Sequence, residues 1–316
     1  MLRYTLKRLL QSLLTLFIIV TVVFLLMRLM PEEGYFGTGY EKLDEAQKEA
    51  ILTGMGLRDP IRKQLVDFYK QTLKGDLGKS IIYRPKVAIS SIIKTKIPYS
   101  LKFGLAAMGI SLIFGIPLGI LMALCKNKFW DKIGTGYIVF ISAVPAAVYY
   151  LFLQLYVSGI KILKLPILFS PDNPRSWILP AVSMSLGGIA SYAMWMRRYM
   201  VDEINKDYVK LARAKGLKNK SIMVKHVLRN AFVPMAQYLP SAILFTIAGS
   251  IYIESLYSIP GMGGLLVDAI QRQDNTLVQA LVLIYSSIGI FGLFLGDIFM
   301  AILDPRIKLD KKGGAR

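Results

Sequence analysis

Long uncharged runs alternate with charged segments along this chain. Six such runs contain 19 to 28 residues each. A helix needs about 20 mostly apolar residues to cross the hydrocarbon core, because each residue rises about 1.5 Å. The runs show no alternation between apolar and polar positions of the kind found in membrane barrels, so we expect helices. The runs lie between Arg8 and Arg28, Lys102 and Lys126, Lys132 and Lys161, Arg175 and Arg197, Arg229 and Glu254, and Asp274 and Asp297.

The pattern predicts an all-α membrane protein with six transmembrane helices. We expect a first helix over residues 1–30, an extracytoplasmic helical insertion over 31–98, a membrane domain over 99–303 and a basic tail over 304–316. The first run lacks a small-residue cleavage site, which favours a retained span over a signal peptide. The other five spans are predicted over about 101–125, 133–159, 176–197, 231–254 and 276–298, with a basic segment over 199–230.

The distribution of lysine and arginine predicts the orientation. With the N-terminus inside, the inner segments carry 21 of these residues and the two short outer segments carry 4. The insertion carries no information here, because long loops cross the membrane largely regardless of charge. We therefore expect a multi-pass protein of the cytoplasmic membrane, with both termini and the basic segment in the cytoplasm.

Composition narrows the function classes. The 316 residues are 54% hydrophobic and only 19% charged, with a mean hydropathy of +0.48, which is too apolar for an ordinary soluble domain. The net charge of +19 fits a cytoplasmic surface beside lipid better than nucleic-acid binding. Cys125 and His226 are the only residues of their types, which excludes a metal site built from several such ligands.

Signatures of catalysis and nucleotide binding are missing. Gly75-Asp-Leu-Gly-Lys-Ser80 resembles the end of a phosphate-binding loop, but position 73, where that pattern requires glycine, is leucine. The chain has no H-E-x-x-H and no G-x-S-x-G. Asp297 lies at the end of the last span, where we expect it to pair with a base such as Arg306. We therefore predict neither a catalytic residue nor a metal site.

The basic segment has the pattern of two short helices. The first runs from Tyr208 to Lys215 and ends at Gly216, a natural helix stop. Asn219 or Ser221 would cap the second, from Ile222 to Arg229. The apolar side of the first helix is expected to carry Tyr208, Val209, Leu211 and Ala212.

Three interpretations of the basic segment remain open from its residues. It would be a solvated loop, an amphipathic pair lying on anionic lipid, or a rigid projection that docks into a partner protein. The small residues Ala212, Ala214 and Gly216 favour docking, because they allow close approach of the backbone to a groove.

The basic segment also resembles the coupling motif of ABC-importer permeases, whose loose form is E-A-A followed after three residues by Gly. Here Lys210-Leu211-Ala212 and Gly216 occupy those positions, with Lys and Leu replacing Glu and the first Ala. Longer strings resemble the branch that imports dipeptides, oligopeptides and nickel. They are D207-Y-V-K-L-A-R-A-K-G-L217, K225-H-V-L-R-N-A-F-V-P234, G75-D-L-G-K-S80, I97-P-Y-S-L101, E254-S-L-Y-S-I-P-G-M-G263 and L303-D-P-R-I-K-L309.

The resemblance implies a type I importer permease that works by alternating access. Its expected partners are a second permease, two cytoplasmic ATPases that bind ATP and Mg, and an extracytoplasmic peptide-binding protein. The chain itself would bind no cofactor. The residues implied in coupling to the ATPase are Tyr208, Lys210, Leu211, Ala212, Arg213, Ala214 and Gly216.

The remaining predictions concern the substrate path. Its interior is almost free of charge, so hydroxyl groups and backbone would line it. Glu254 is either a candidate gate or an interfacial anion beside a turn near water. The alternatives to peptide import are import of nickel or a nickel chelate, an intramembrane enzyme and a channel. The predicted path residues are Ser142, Ser183, Ser185, Ser191 and Thr246.

Overall fold

The computed structural model describes residues 2–36, 40–160 and 162–303, and the predicted tail over 304–316 lies outside those ranges. The described chain is helical, and an isolated bridge joins Lys79 to Ala88. The first seven helices are α1 Leu2–Met27, α2 Glu45–Gly54, α3 Ile61–Leu73, α4 Ile89–Leu124, α5 Phe129–Ala143, α6 Ala146–Phe152 and α7 Ile178–Ile204. The next seven are α8 Asp207–Ala214, α9 Asn219–Ile222, α10 Arg229–Ala236, α11 Leu239–Ala248, α12 Ile251–Leu256, α13 Met262–Gln271 and α14 Asn275–Leu303.

Within the described residues, five helical stretches are long and apolar enough to cross a membrane, and six if one bent pair is a single span. The five are Thr5–Met27, Ile89–Leu124, Pro174–Ile204, Leu239–Leu256 and Asn275–Met300.

The predicted third span, 133–159, is not one straight helix. Phe129–Ala143 and Ala146–Val157 meet at an angle of 105°. Pro145 explains the bend, because it lacks a backbone N–H and restricts the residue before it. Val144 accordingly has extended backbone angles, φ −86° and ψ 129°.

The predicted fifth span, 231–254, is interrupted twice. Pro240 lies in the first turn of α11, where proline is tolerated but closes off the preceding helix. Gly249 ends α11 with φ +73°, a conformation that favours glycine. The apolar stretch that remains long enough to span is Leu239–Leu256.

The insertion is helical as predicted, and its described part contains the helices α2 and α3. Asp44 and Gln47 form a capping box at the start of α2. Pro60 occupies the N-cap position of α3, and no side chain caps that helix. The ring of Phe68 on α3 lies 5.1 Å from that of Phe24 on α1, so the insertion packs against the first helix.

The long helix α4 joins two buried clusters. Its 36 residues span about 54 Å at about 1.5 Å per residue. Ile89 and Ile92, near its start, pack with α13 and α14 beside the insertion. Ala123, near its end, packs with α7 and the basic segment. The insertion and the basic segment therefore lie at opposite ends of the bundle.

Glycine allows α4 to pack closely on α7. A Cβ built on Gly115 would lie 2.8 Å from the carbonyl oxygen of Ile189, and one on Gly119 would lie 2.5 Å from that of Ala193. Small residues are the usual means of close helix packing in membranes. They join these two helices into one rigid pair.

Candidate functional site

The basic segment begins with a helix that Gly216 terminates. The N–H of Gly216 donates to the carbonyl of Arg213 at 2.9 Å, and that of Leu217 donates to the carbonyl of Ala212 at 3.2 Å. With φ +74° at Gly216, these bonds form a Schellman motif. The predicted glycine stop is therefore confirmed, and it fixes the end of α8.

The second helix starts earlier than predicted. It begins at Asn219 with Lys218 at the N-cap, and no side chain caps it, so the predicted cap by Asn219 or Ser221 is wrong. A π-helical turn, Met223–Leu228, then continues it into α10. The basic segment is thus joined without a break to the helices that follow.

The seven residues predicted to couple to an ATPase lie on two sides of α8. Ala212 is buried with Val209 against Met196 and Met200 of α7. Tyr208 is half-buried, and its hydroxyl donates to a carboxylate oxygen of Glu203 at 2.5 Å. The exposed residues of the seven are Lys210, Leu211, Arg213, Ala214 and Gly216.

Leu211 was expected on the apolar side of α8, but 57% of it is exposed. Helical geometry explains the difference, because Leu211 is about 100° from Ala212 around the axis and points away from Val209. It is an exposed apolar side chain on a helix whose other exposed residues include the cations Lys210 and Arg213. The helix α8 therefore exposes both an apolar side chain and cationic side chains.

A buried ion pair braces this end of the bundle. Arg197 at the end of α7 forms two hydrogen bonds with Asp131 of α5, at 2.5 and 2.8 Å. The backbone N–H of Asn127 donates to the same carboxylate at 2.8 Å. Asp131 is 3% exposed. Sequence reasoning missed this pair, although Asp131 is the only acid in the basic loop 126–132.

The predicted path residues do not form one group. Ser142 and Ser191 are exposed. The hydroxyl of Ser183 lies 2.9 Å from that of Tyr257. Ser185 and Thr246 are buried, and their hydroxyls donate to carbonyls of their own helices. Three of the five hydroxyl groups are therefore engaged within the chain.

Glu254 is buried rather than interfacial. It is 2% exposed, so its interpretation as an anion beside water is wrong. Its carboxylate accepts hydrogen bonds from the Ser100 hydroxyl at 2.7 Å and from the N–H of Gly263 and Gly264 at 2.7 and 3.1 Å. A Cβ at Gly261 would lie 2.3 Å from the same carboxylate. The I-P-G-M-G-G loop therefore packs around the Glu254 carboxylate, which is also hydrogen-bonded to Ser100 of α4.

Asp274 binds Ser80, the last residue of the phosphate-loop-like sequence, and the backbone that follows it. Its carboxylate is fully buried, and one oxygen accepts four hydrogen bonds of 2.6–3.1 Å while the other accepts two of 3.0 and 3.2 Å. The donors are the hydroxyls of Ser80 and Thr276 and the backbone N–H groups of Ile81, Ile82, Tyr83 and Leu277. Successive N–H groups of this kind form an anion-binding nest.

The nest already binds the carboxylate of Asp274 from the same chain, so this loop has a structural role. Burial alone would raise the pKa of Asp274, but the hydrogen bonds from Ser80 and from backbone N–H groups hold that pKa below its ordinary value. Of the segment Gly75–Ser80, only Ser80 donates a hydrogen bond to this carboxylate, and the backbone N–H donors follow the segment at Ile81, Ile82 and Tyr83.

Three cations surround Tyr83 beside this nest. The charged groups of Arg84, Lys96 and Arg272 lie 6.0, 5.9 and 5.4 Å from its ring centre. Arg84 and Arg272 are exposed. We call these four residues the Tyr83 patch. Because Asp274 anchors Tyr83, the patch is a rigid cationic surface at the insertion end of the bundle.

The described residues contain no group of three or more His, Cys, Asp or Glu side chains placed to hold a metal ion. The predicted partner of Asp297, Arg306, lies outside the described ranges. Within them, Asp297 lies 3.3 Å from Arg8 of α1, which ties the first helix to the last.

Known proteins resemble this chain along nearly its whole length. It is 32% identical to the dipeptide transport system permease protein DppB of Bacillus subtilis over 314 residues, 99% of this chain and 100% of the relative. It is 31% identical to the oligopeptide transport system permease protein OppB of Escherichia coli over 316 residues, 98% of this chain and 100% of the relative.

The oligopeptide transport system permease protein AmiC of Streptococcus pneumoniae is 42% identical over 212 residues. That stretch is 67% of this chain but only 42% of the AmiC length.

Two family descriptions match adjacent parts of the sequence. Residues 1–95 match the N-terminal part described as "Binding-prot-dependent transport system membrane comp, N-term". Residues 115–309, which include the basic segment, match "Binding-protein-dependent transport system inner membrane component". The chain is therefore a translocation subunit and a member of the inner membrane component family of binding-protein-dependent transport systems.

Proposed function

We propose that this chain is a permease subunit of an ATP-driven importer of oligopeptides or dipeptides. The observation that carries the proposal is full-length similarity to two permeases whose names specify peptides, DppB and OppB. No cluster of metal ligands in the described residues favours nickel, and His226 lies in the basic segment rather than along a span.

The topology proposed is that of a type I importer permease with six spans. In it, the bent pair Phe129–Val157 crosses as one span, and an even number of spans places both termini in the cytoplasm. The excess of 21 over 4 basic residues supports this orientation. The insertion then lies outside the cell and the basic segment lies inside.

The basic segment is proposed to dock on a cytoplasmic ATPase that binds ATP and Mg. Leu211 would fill an apolar depression in the partner, and Lys210 and Arg213 would meet its acidic rim. Ala212, which was predicted to contact the ATPase, is instead proposed to pack α8 against α7. Rigid contact with α7, braced by the Asp131–Arg197 pair, would transmit ATPase motion to the spans.

The substrate path is proposed to form between this chain and a second permease. Ser142 and Ser191 are exposed on the single chain, and a partner permease facing them would enclose the path. Ser183, Ser185 and Thr246 would contribute indirectly, by shaping their helices. Glu254 remains a candidate gate, because its carboxylate joins α12, the following loop and α4.

The Tyr83 patch is proposed as a docking surface for the extracytoplasmic peptide-binding protein. Its cations would attract an acidic face and increase the association rate. Reversing two of them, in Arg84→Glu with Arg272→Glu, should slow association at least tenfold at low salt and less at high salt. An unchanged rate at low salt would contradict this docking site.

Reconstitution tests the proposed substrate. The chain would be placed in proteoliposomes with its second permease, its ATPases and its binding protein, and ATP-dependent uptake of labelled tripeptide and of nickel would be measured. We expect peptide uptake that requires ATP and the binding protein. Nickel uptake without peptide uptake would overturn the proposal.

A further inference from the structure

A large cavity lies in the insertion end of the bundle, away from all five predicted path residues. Its volume is about 790 Å³, and it is bounded by the end of α1, by α3, by the loop before α4 and by the start of α14. Small-molecule sites in proteins have volumes of about 300–1,000 Å³. The cavity is therefore large enough for a ligand of two or three amino-acid residues.

Three side chains in the cavity wall leave a polar atom without a partner among the described residues. They are Arg28 at Nε, Gln64 at Oε1 and Gln279 at Nε2. Gln279 is only 9% exposed. Unpartnered buried polar atoms are costly, at about 1–3 kcal/mol each. Three of them around one cavity indicate a site where a polar ligand belongs.

These atoms define what the ligand must offer. The amide nitrogen of Gln64 donates to the carbonyls of Leu57 and Asp59 at 2.9 and 2.7 Å, so its oxygen is left as an acceptor. Arg28 and Gln279 are left as donors. The two bonds to Leu57 and Asp59 hold the Gln64 amide in place, whereas the terminal amide torsion of Gln279 is soft and lets its nitrogen turn towards a ligand. The ligand therefore needs an acceptor group and an N–H donor.

Arg28 is held in place from the protein side. One of its terminal nitrogens donates to the Tyr35 hydroxyl at 3.0 Å, and the guanidinium lies 4.6 Å from the ring centre of Phe24. Among the described residues, no carboxylate lies within 4 Å of it. An Arg without an internal carboxylate suits a ligand that brings one.

The rest of the cavity wall combines apolar side chains with equal numbers of positive and negative side chains. Phe68, Leu77 and Leu283 give it apolar surface. The charged side chains that line it are three cations and three anions, which cancel: Arg28, Lys79 and Lys86 with Asp59, Asp67 and Asp76. A net-neutral lining of this kind favours a zwitterion with an apolar body over a simple anion or cation.

We propose that this cavity is a binding site for a short peptide zwitterion. The terminal carboxylate would bind Arg28 and Gln279, a backbone N–H would donate to Gln64, and an apolar side chain would lie against Phe68. The site would hold peptide on the insertion side of the bundle, separately from the path through the spans. This inference rests on the proposed function for the class of ligand that reaches that side.

Equilibrium binding tests the site. The complex of permeases and ATPases, without the binding protein, would be placed in nanodiscs and titrated with a radiolabelled tripeptide of sequence Ala-Phe-Ala. We expect saturable binding that weakens at least tenfold in Gln279→Leu and in Arg28→Gln. Gln271→Leu, at the exposed end of α13 and outside the cavity, should bind as the wild type does. C-terminal amidation of the peptide should weaken wild-type binding and have little further effect in Arg28→Gln.

Two outcomes would overturn the proposal: absence of saturable binding up to millimolar peptide, or binding that is equal in the wild type and the cavity variants. If Gln279→Leu fails to assemble, Gln64→Leu on α3 tests the same cavity from its opposite wall. Binding-protein-dependent uptake by the same complexes separates this inference from the proposed function. Uptake without cavity binding refutes the cavity site alone, whereas absence of peptide uptake refutes the peptide importer itself.

Discussion

Removal of the Asp274 carboxylate should loosen the loop that carries the Tyr83 patch. In Asp274→Ala, three consecutive backbone N–H groups, those of Ile81, Ile82 and Tyr83, lose the acceptor they share. Each stranded buried donor costs about 1–3 kcal/mol, and water that enters the space left by the carboxylate recovers part of that. We expect the free energy of local opening to fall by about 3 kcal/mol, which is about a 100-fold increase in amide exchange at 1.4 kcal/mol per decade.

Hydrogen exchange of peptides covering 79–86, in the complex in nanodiscs, would measure this change. Asp274→Asn keeps one acceptor oxygen but places an amide donor against other donors, so its effect should be intermediate. Asp172→Ala, at an exposed loop position, is the matched control and should exchange as the wild type does. Equal exchange in Asp274→Ala and the control would refute the anion-nest interpretation.

The same carboxylate predicts a pH dependence with a definite sign. In the folded protein the pKa of Asp274 lies below its ordinary value of 3.8. Its contribution to stability is therefore present above pH 3.8 and is lost as the pH falls through the lower folded pKa. Relative to the intrinsic amide rate at each pH, exchange of 79–86 should thus increase in the wild type below about pH 4, but not in Asp274→Asn. A wild type whose exchange shows no such acid-dependent step would contradict the assignment.

Three further predictions concern the basic segment. Leu211→Asp should change the free energy of unfolding by no more than about 0.5 kcal/mol, because Leu211 is exposed. It should nevertheless reduce ATPase association at least tenfold in a pull-down. Unchanged association would remove Leu211 from the interface. Gly216→Val should destabilise α8 by about 1–2 kcal/mol, because φ +74° is unfavourable for a branched residue, whereas Gly216→Asn should be tolerated. The thermal unfolding midpoints of the two variants would be compared, and equal midpoints would count against the Schellman cap. Asp131→Asn should cost about 2 kcal/mol by weakening the pair with Arg197 and lower peptide-stimulated ATP hydrolysis, and a variant with wild-type values would show that the pair is dispensable.

The helical character of the chain could be predicted because lipid imposes a simple length rule on uncharged runs. The same rule did not reveal that Pro145 bends the third span by 105°, since proline is tolerated in some membrane helices and breaks others. The end of α8 could be predicted from Gly216, whereas the packing of α4 on α7 was not predicted and became visible only in the structure. The features that could be predicted depend on residues close together in the chain.

The buried carboxylates Glu254 and Asp274 could not be placed from the sequence. Asp274 binds Ser80, which lies 194 positions earlier, and Glu254 binds Ser100 across 154 positions. Nothing local marks either carboxylate as buried, and both stand next to turns that read as water-exposed. The cavity was missed for the same reason, because Arg28, Gln64 and Gln279 come together only through the fold.

The side of α8 on which Leu211 lies was predicted wrongly for a different reason. The face of a helix as short as α8, with eight residues, is set by the helix on which it packs. Val209 and Ala212 turn towards α7, and Leu211 is left outside. A pattern of apolar residues alone does not distinguish the side that packs within the chain from the side left for a partner.

The most direct test of the central claim is uptake of labelled tripeptide into sealed proteoliposomes holding the full complex, with ATP present inside the vesicles and the binding protein outside. The account predicts accumulation that stops when ATP is removed and is at least tenfold lower with Leu211→Asp. Accumulation that continues without ATP, or that needs ATP but is unaffected by Leu211→Asp, would contradict an importer driven through the basic segment.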